Sequence, residues 1–285
     1  MRTLVEQQAR RLDQAGVAFG HGTHNAFDEA AWLVLWRLGL PLDSDLDDPA
    51  LPAPDAAQIM AVAALIDERI ASRKPAAYLT REAWLQGVPF YVDERTIVPR
   101  SLIAEPLAEG AIDDLLGYEP AQVLDLCTGN GSLAVLAALA WPQAHVDAAD
   151  ISPDALAVAA INVDQHGLQE RIRLIESDGL AQCQGPYDLI LCNPPYVNAA
   201  SMAALPAEFK AEPALALAGG EDGMDFVRSL LRQASSCLHP EGVLVLEIGH
   251  EAAHFESAFP ELQPVWLITS AGDEQVLLLR ASDLD

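Results

Sequence analysis

From residue 122 onward, short apolar runs typical of β-strands alternate with stretches of helical character. Repeated strand–helix units fold into a mainly parallel, doubly wound sheet with helices on its faces. The strand-like runs are residues 123–126, 145–149, 172–175, 187–192, 242–248, 265–268 and 275–279. The sequence therefore predicts an α/β fold built on seven strands.

The connection between the last two strand-like runs is short. Only residues 269–274 separate them, which is too few for a crossover helix and favours an antiparallel pair. The helical stretches between the earlier runs are residues 132–140, 153–166, 224–238 and 251–259. We therefore expect a mainly parallel sheet whose last strand is antiparallel.

The first third of the chain has a different pattern. Amphipathic helices are predicted for residues 28–40 and 55–72, separated by a loop rich in aspartate and proline. Residues 84–98 have strand-like character around two turn sequences and predict a β-hairpin, and a helix over residues 102–116 follows. We expect a helical domain over residues 1–83, a β-hairpin linker over 84–101 and the α/β domain over 102–285.

The charge of the chain is strongly negative. It carries 16 basic and 42 acidic side chains, a net charge of −26, and the part from Ser101 onward accounts for −22. Such a field repels a phosphate backbone and attracts basic proteins, whereas proteins that bind nucleic acid need cationic side chains. Acidity also serves solubility, so charge alone does not decide. It disfavours direct DNA binding.

Nothing in the sequence indicates export, membrane contact or a metal site. The first 16 residues lack the continuous apolar stretch of a secretory signal, and the longest apolar run, residues 133–141, is too short to span a bilayer. The spacing of the cysteines matches neither metal-binding nor redox motifs. We expect a soluble, cytoplasmic protein with reduced cysteines, no metal and no membrane partner.

A glycine-containing turn follows the first strand of the α/β part. Such a turn brings the backbone close to a nucleotide-like ligand at the start of a helix. Asp150 and Asp178 follow the next two strands, where they can accept hydrogen bonds from ribose hydroxyls and lie near an adenine. This pattern fits either NAD or S-adenosylmethionine, and the carboxylates disfavour NADP. The turn consists of Cys127, Thr128, Gly129, Asn130 and Gly131.

The fourth strand delivers Asn193, Pro194, Pro195 and Tyr196 to the same edge of the sheet. The prolines fix their own φ angles and push the preceding residues towards extended conformations. The Asn193 side-chain oxygen and the Pro194 carbonyl can then both accept hydrogen bonds from one planar NH2 group. Tyr196 would lie against that group. The loop therefore predicts methyl transfer to an amide or amine nitrogen.

With these segments, the chain resembles the class I methyltransferases and, among them, the HemK-like glutamine N(5)-methyltransferases. The resemblance covers nearly the whole chain. Matching segments begin at Tyr78, Val98, Asp125, Asn193 and Glu212. It implies a Rossmann-like sheet with a small helical N-terminal domain, and S-adenosylmethionine as the methyl donor. It also implies that residues 127–131, Asp150, Asp178, Gly179 and Asn193 contact the cofactor, and that Asn193, Pro194, Pro195 and Tyr196 hold the substrate glutamine.

Two branches of that family differ in substrate. The release-factor branch usually has Pro-Asp-Thr-Glu after a Pro-Arg pair, whereas here Ser101 and the three residues after it follow Arg100. The segment that begins at His21 and the presence of Cys127 also resemble the ribosomal-protein (PrmB-type) branch. That branch methylates large-subunit ribosomal protein three. The resemblance thus implies a basic ribosomal protein as the substrate.

Other functions stay open on the sequence alone. A release-factor glutamine methyltransferase would use the same loop, and so would an N(6)-adenine nucleic-acid methyltransferase, which also needs a cationic groove. An NAD-dependent oxidoreductase would be indifferent to removal of the Asn193 side chain. A non-catalytic module would bind S-adenosylmethionine without turnover.

Overall fold

Side-chain caps start two of the three long helices of the N-terminal part. In the computed structural model, which describes residues 1–284, Asn25 accepts a hydrogen bond from the Asp28 N–H, and Asp55 and Gln58 form a reciprocal capping box. The helices here are α1 (Arg2–Ala15), α2 (Ala26–Leu38), α3 (Ala56–Ser72) and α4 (Ala76–Thr80). The predicted helices and the loop between them are confirmed, with α2 beginning two residues earlier because Asn25 is its cap. Asp285, the end of the predicted α/β domain, lies outside the described residues.

The predicted hairpin is present but shorter than expected. Strands β1 (Ala83–Leu85) and β2 (Val88–Phe90) pair antiparallel across a turn at Gln86 and Gly87, both of which have positive φ. Residues 91–101, here called the strap, form neither helix nor strand. The strap runs from the hairpin to Ser101, whose hydroxyl donates to Glu247 at the carboxyl end of a central strand of the large sheet.

The prediction of a single helix over residues 102–116 is wrong. Two short helices occupy this stretch, α5 (Ala104–Ala108) and α6 (Ala111–Leu116). Gly110 between them has a φ of 77°, a left-handed conformation that ends a right-handed helix. The apolar pattern of the stretch predicted helix correctly but not this break.

The large sheet has seven strands in the order β5-β4-β3-β6-β7-β9-β8, and β9 runs antiparallel to both of its neighbours. This confirms a mainly parallel sheet with an antiparallel last strand. The strands are β3 (Gln122–Leu126), β4 (His145–Asp150), β5 (Ile172–Glu176), β6 (Tyr187–Cys192), β7 (Leu238–Glu247), β8 (Val265–Thr269) and β9 (Gly272–Arg280). The chain reverses its direction of winding between β3 and β6, so ligands are expected at their carboxyl ends.

Helices cover both faces of this sheet. The helices after β3 are α7 (Ser132–Ala140), α8 (Pro153–Gln165), α9 (Ala199–Ala204), α10 (Ala207–Lys210), α11 (Asp225–Cys237) and α12 (Ala252–Ala258), of which α9 and α10 contribute no residue to the apolar cores on the two faces. Alternate residues of a strand face opposite sides, so Val123 belongs to one apolar core and Leu124 to the other. The two cores hold the strand ends, and with them the site, in fixed positions.

The N-terminal helices have an apolar core of their own and also contact the α/β part. Arg69 on α3 is buried between Glu29 of α2 and Glu208 of α10, at 2.8 Å and 3.4 Å. The ion pair between Arg69 and Glu208 joins residues on the two sides of the predicted boundaries at 83 and 101, so the division of the chain into domains there stays a prediction.

Within residues 1–284, every helix is too short or too polar to cross a bilayer.

Candidate active site

The carboxyl ends of β3, β4 and β6 open onto a cleft, here called the first cleft, that encloses about 1000 Å³, part of it open solvent. It brings together residues that are far apart in the sequence. Of the residues predicted for the site, those that line it are Cys127, Gly129, Asp150, Asp178, Gly179, Asn193 and Pro195.

Backbone N–H groups of the glycine turn form hydrogen bonds within the protein and are not free for a ligand. Five N–H groups of the turn and of the first residues of α7 are hydrogen-bonded within the protein. They are the N–H of Thr128 to the Ala149 carbonyl, Gly129 to Asp150 Oδ2, Gly131 to the Thr128 carbonyl, Ser132 to Asn130 Oδ1, and Ala134 to Asp125 Oδ2. A pyrophosphate needs free N–H donors at such a turn. The arrangement therefore disfavours NAD.

Three residues of the predicted turn do not line the first cleft. Thr128 and Asn130 are buried; the Thr128 hydroxyl donates to Asp125 of β3, and the Asn130 side-chain oxygen accepts from the Ser132 N–H at the start of α7. Gly131 has a φ of 80°, and a Cβ there would lie 3.1 Å from the Cβ of Ala159 on α8. These residues shape the turn, and their contact with a cofactor stays a prediction.

Asp125, which was not among the predicted site residues, lies beneath the glycine turn near the end of β3 and does not line the first cleft. It is 1% exposed, and its Oδ2 accepts hydrogen bonds from the Thr128 hydroxyl at 2.5 Å and from the Ala134 N–H at 2.9 Å. Its Oδ1 has no hydrogen-bond partner among the described residues. Burial raises the pKa of this carboxyl to about 7. A buried acceptor is thus left over beneath the turn, and its only signal in the sequence is an acidic residue inside an apolar strand.

Asp150 and Asp178 lie on one side of the first cleft. Each Asp150 oxygen accepts one backbone hydrogen bond at 2.9 Å, from the N–H of Gly129 and of Ser152. A carboxylate has about four acceptor positions, so further donors can still bind. Burial raises the pKa of Asp150. Asp178 is exposed at the rim of the cleft.

Asn193 lines both the first cleft and a second one. The second cleft encloses about 560 Å³, part of it open solvent, and is also lined by Pro194, Tyr196 and Arg100. Within residues 1–284, no donor is hydrogen-bonded to the Asn193 side chain or to the Pro194 carbonyl. The two acceptors predicted from the Asn-Pro-Pro-Tyr sequence are therefore free, at the point where the clefts meet.

Tyr196 is held by residues that sequence reasoning missed. Its hydroxyl donates to Glu247 Oε1 at 3.0 Å, and Glu247 Oε2 accepts from the Ser101 hydroxyl at 2.6 Å. Gly249 lies so close to the tyrosine ring that a Cβ there would be 2.5 Å from Cε2. Burial raises the pKa of the Glu247 carboxyl. Only the position of Glu247 at the end of a strand could have suggested it.

Arg100 lines the second cleft and is held there by Glu212, which lies behind it and does not line the cleft. Arg100 Nη1 and Nη2 lie 2.6 Å and 2.7 Å from the two Glu212 oxygens, and the Val98 N–H donates to the same carboxylate. Burial raises the pKa of Glu212, but the nearby His21 and Arg100 side chains outweigh it and lower the pKa to about 2. The ionised Glu212 therefore holds the strap in place through its hydrogen bonds to Arg100 and the Val98 N–H.

Within residues 1–284, no group of three or more His, Cys, Asp or Glu side chains could hold a metal ion.

Known proteins resemble this chain over its whole length. It is 55% identical to the ribosomal protein uL3 glutamine methyltransferase of Bordetella pertussis, an alignment that covers 100% of this chain and 96% of the relative. It is 54% identical to the enzyme of the same name from Burkholderia pseudomallei, with 100% and 95% covered. The chain belongs to the uL3 glutamine methyltransferase family. The predicted resemblance to glutamine methyltransferases is thereby confirmed.

Two further comparisons concern the α/β part of the chain and its fold. A family model described as "Methyltransferase small domain" matches residues 112–221, which include the glycine turn, the Asn193 loop and Glu212. A solved structure, the hMettl16 catalytic domain in complex with a MAT2A 3′UTR hairpin, superposes with a TM-score of 0.52 at 14% identity. That alignment covers 79% of this chain and 81% of the other. At this identity the likeness concerns the fold alone.

Proposed function

We propose that this protein methylates the side-chain amide nitrogen of a glutamine in ribosomal protein uL3. The observation that carries the proposal is the pair of free acceptors, the Asn193 side-chain oxygen and the Pro194 carbonyl, where the first cleft meets the second. Two acceptors are what a planar NH2 group requires. Full-length relatives that carry this activity in their names support the same substrate.

The first cleft fits S-adenosylmethionine. It presents carboxylates, and five N–H groups of its glycine turn and of the start of α7 are bonded within the protein, which suits a ligand with a ribose and an ammonium group but no phosphate. Asp150 would hold the ribose hydroxyls, and Asp178 would lie near the adenine. The unpaired Asp125 oxygen beneath the turn would favour the cationic methionine end. When bound, this cofactor supplies a methyl group activated by its positive sulfur.

The residues of the Asn193 loop act on the substrate amide. Its nitrogen is a poor nucleophile because the lone pair is delocalised into the carbonyl. By accepting both N–H bonds, Asn193 and Pro194 orient that nitrogen and favour the geometry in which the lone pair points at the methyl group. Tyr196, fixed by Glu247, provides a ring against which the flat amide can lie. The nitrogen would gain the methyl group as the bond between that carbon and the donor sulfur breaks; the sulfur would leave as a neutral thioether, and one amide proton would pass to solvent water.

Charge supports a basic protein as the partner. The part of the chain from Ser101 onward has 6 basic and 28 acidic side chains, and ribosomal proteins that bind RNA are basic. An N(6)-adenine substrate would need a cationic groove, for which this part supplies few side chains. Ribosomal proteins are made in the cytoplasm, so we place the reaction there.

A methyl-transfer assay tests the proposal. The enzyme would be incubated with labelled S-adenosylmethionine and, separately, with unmethylated uL3, an unmethylated release factor, and purified RNA and DNA. We expect label on one glutamine of uL3, located by mass spectrometry, and none on nucleic acid. Label on the release factor alone would assign the chain to the other substrate, and label on nucleic acid alone would overturn the proposal.

A further inference from the structure

A third cavity lies between the N-terminal helical part, the hairpin and the strap, beside the second cleft. The His21 cavity, named for its most buried polar residue, encloses about 510 Å³, part of it open solvent. Most of its lining is apolar or aromatic. The residues that line it are His21, Gly22, Thr23, Trp32, Leu42, Ala83, Trp84, Val98 and Pro99.

Two polar side chains of this cavity lack hydrogen-bond partners. His21 is 1% exposed; its Nε2 lies 3.5 Å from a Glu212 oxygen, whereas its Nδ1 has no hydrogen-bond partner within residues 1–284. The indole N–H of Trp32 is buried and also unpaired within that part of the chain. Leaving a buried polar group without a hydrogen bond is unfavourable, so such groups are rare unless a ligand or water binds them. Here two occur in one cavity.

The local backbone holds His21 in this position. Gly20 and Gly22 on either side have φ angles of 127° and 97°, which other residues rarely adopt. A Cβ at Gly20 would lie 3.1 Å from Phe209, and the rings of His21 and Phe209 are 4.2 Å apart. Because Phe209 lines the second cleft and His21 lines the cavity, these two adjacent rings lie between the His21 cavity and the place proposed for the glutamine.

Residues of the strap line both the second cleft and the His21 cavity. Ile97 and Arg100 line the second cleft, whereas Val98 and Pro99 between them line the His21 cavity. A protein loop whose glutamine enters the second cleft would therefore have neighbouring residues within reach of the cavity. Trp84 on the hairpin is 46% exposed at its edge, a large aromatic surface open to such a loop.

We propose that the His21 cavity binds an apolar side chain of the substrate protein, close to its target glutamine, and that the Trp32 N–H donates to a peptide carbonyl of the same loop. The inference rests on the proposed function and deepens it. Apolar walls with a few unpaired polar groups are typical of sites that recognise a peptide segment. The cavity would thus select the sequence around the glutamine, separately from the groups that contact the reacting nitrogen.

Steady-state kinetics test this with a matched pair of variants. Trp32→Phe removes the indole N–H, and we expect the KM for uL3 to rise about tenfold while kcat and the affinity for S-adenosylmethionine stay unchanged. Trp36→Phe is the control, since it makes the same change on α2 at a residue that does not line the cavity. Its KM should stay within about twofold of the unaltered enzyme.

Nuclear magnetic resonance of the unaltered chain tests binding directly, even if a variant fails to fold. The probe is a uL3 fragment that contains the glutamine located by mass spectrometry. On its addition, we expect the ¹⁵N-indole signals of Trp32 and Trp84 to shift. The signal of Trp141 should stay in place, because Trp141 is buried and does not line the cavity.

The possible failures are distinguishable. If the unaltered enzyme does not methylate uL3, the proposed function fails and this inference fails with it. If it methylates uL3, yet Trp32→Phe behaves like Trp36→Phe and the Trp32 signal does not move, the inference alone is wrong. The unpaired groups would then serve a buried water.

Discussion

Arg100 and Glu212 form a two-point ion pair although 112 positions separate them in the sequence. The pair joins the strap to the segment after α10, and Glu212 is also bonded to the Val98 N–H. The strap thereby closes over the second cleft. The stability of the cleft and its shape depend on the same carboxylate.

Removal of this carboxylate should be costly. We expect Glu212→Ala to lower the free energy of unfolding by about 3–5 kcal/mol, because it leaves the Arg100 guanidinium without its partner. Urea denaturation measures the change. The control is Asp222→Ala, which breaks a similar two-point pair with Arg228 at the surface and should cost no more than about 1 kcal/mol. If the two variants lost equal free energy of unfolding, burial of the Arg100–Glu212 pair would not be what makes it costly to break.

The Asn193 side chain should matter for chemistry more than for cofactor binding. We expect Asn193→Ala to lower kcat at least about 100-fold, since the substrate amide loses one of its two acceptors. Isothermal calorimetry should show S-adenosylmethionine affinity within about threefold of the unaltered protein. Normal methyl transfer by this variant would remove the loop from the mechanism.

Asp150 should contribute to cofactor affinity. Asp150→Asn removes a charge, and the amide can accept only one of the two backbone N–H bonds made by the carboxylate, so we expect the Kd for S-adenosylmethionine to rise at least about tenfold. Asp154→Asn makes the same charge change at an exposed residue outside the first cleft and should leave the Kd unchanged. If both variants bind equally well, Asp150 does not hold the ribose.

Cys127 has a φ of 61°, a conformation that costs a non-glycine residue about 1 kcal/mol or more. We expect Cys127→Gly to keep thermal stability and cofactor affinity. Cys127→Val should lower the free energy of unfolding by more than about 2 kcal/mol, because a β-branched side chain tolerates this backbone poorly. Denaturant titrations of the two variants measure the difference, and a stable valine variant would contradict the left-handed conformation.

Asp125 should make the cofactor-free protein less stable as the pH rises. The pKa of its carboxyl is about 7 in the folded state, against an ordinary value of 3.8 for a solvated aspartate. Between these values the folded state binds more protons than the unfolded state, so its contribution, on the order of 2–4 kcal/mol, is lost as the pH rises from about 4 to about 7. Asp125→Asn should remove this slope in urea titrations between pH 5 and pH 8. Parallel profiles for both proteins would show that Asp125 is ionised throughout.

The order of strands and helices could be predicted from the sequence because apolar periodicity is a local property. The strand Tyr187–Cys192 and the helix Ser132–Ala140 have the bounds that the pattern predicted. The same pattern missed the break at Gly110, since one glycine inside an apolar stretch is compatible with a continuous helix.

The residues that hold the site could not be predicted, because their partners are distant in the sequence. Nothing near Glu247 indicates that it binds Tyr196 and Ser101, 51 and 146 positions away. The unpaired donors at His21 and Trp32 are likewise visible only once helix, turn and strap are packed together. The motif residues gave the chemistry, and long-range contacts give the geometry.

The insertion of β9 between β7 and β8 has a consequence for the newly made chain. Glu247, which holds Tyr196, pairs on its outer side with Val276 of β9. During synthesis β7 therefore has an open edge until the last residues leave the ribosome. A polypeptide that stops before Gly272 would contain every residue assigned to methyl transfer, yet it would expose an unpaired strand that invites aggregation. Incomplete copies should thus be removed as misfolded protein rather than compete for substrate.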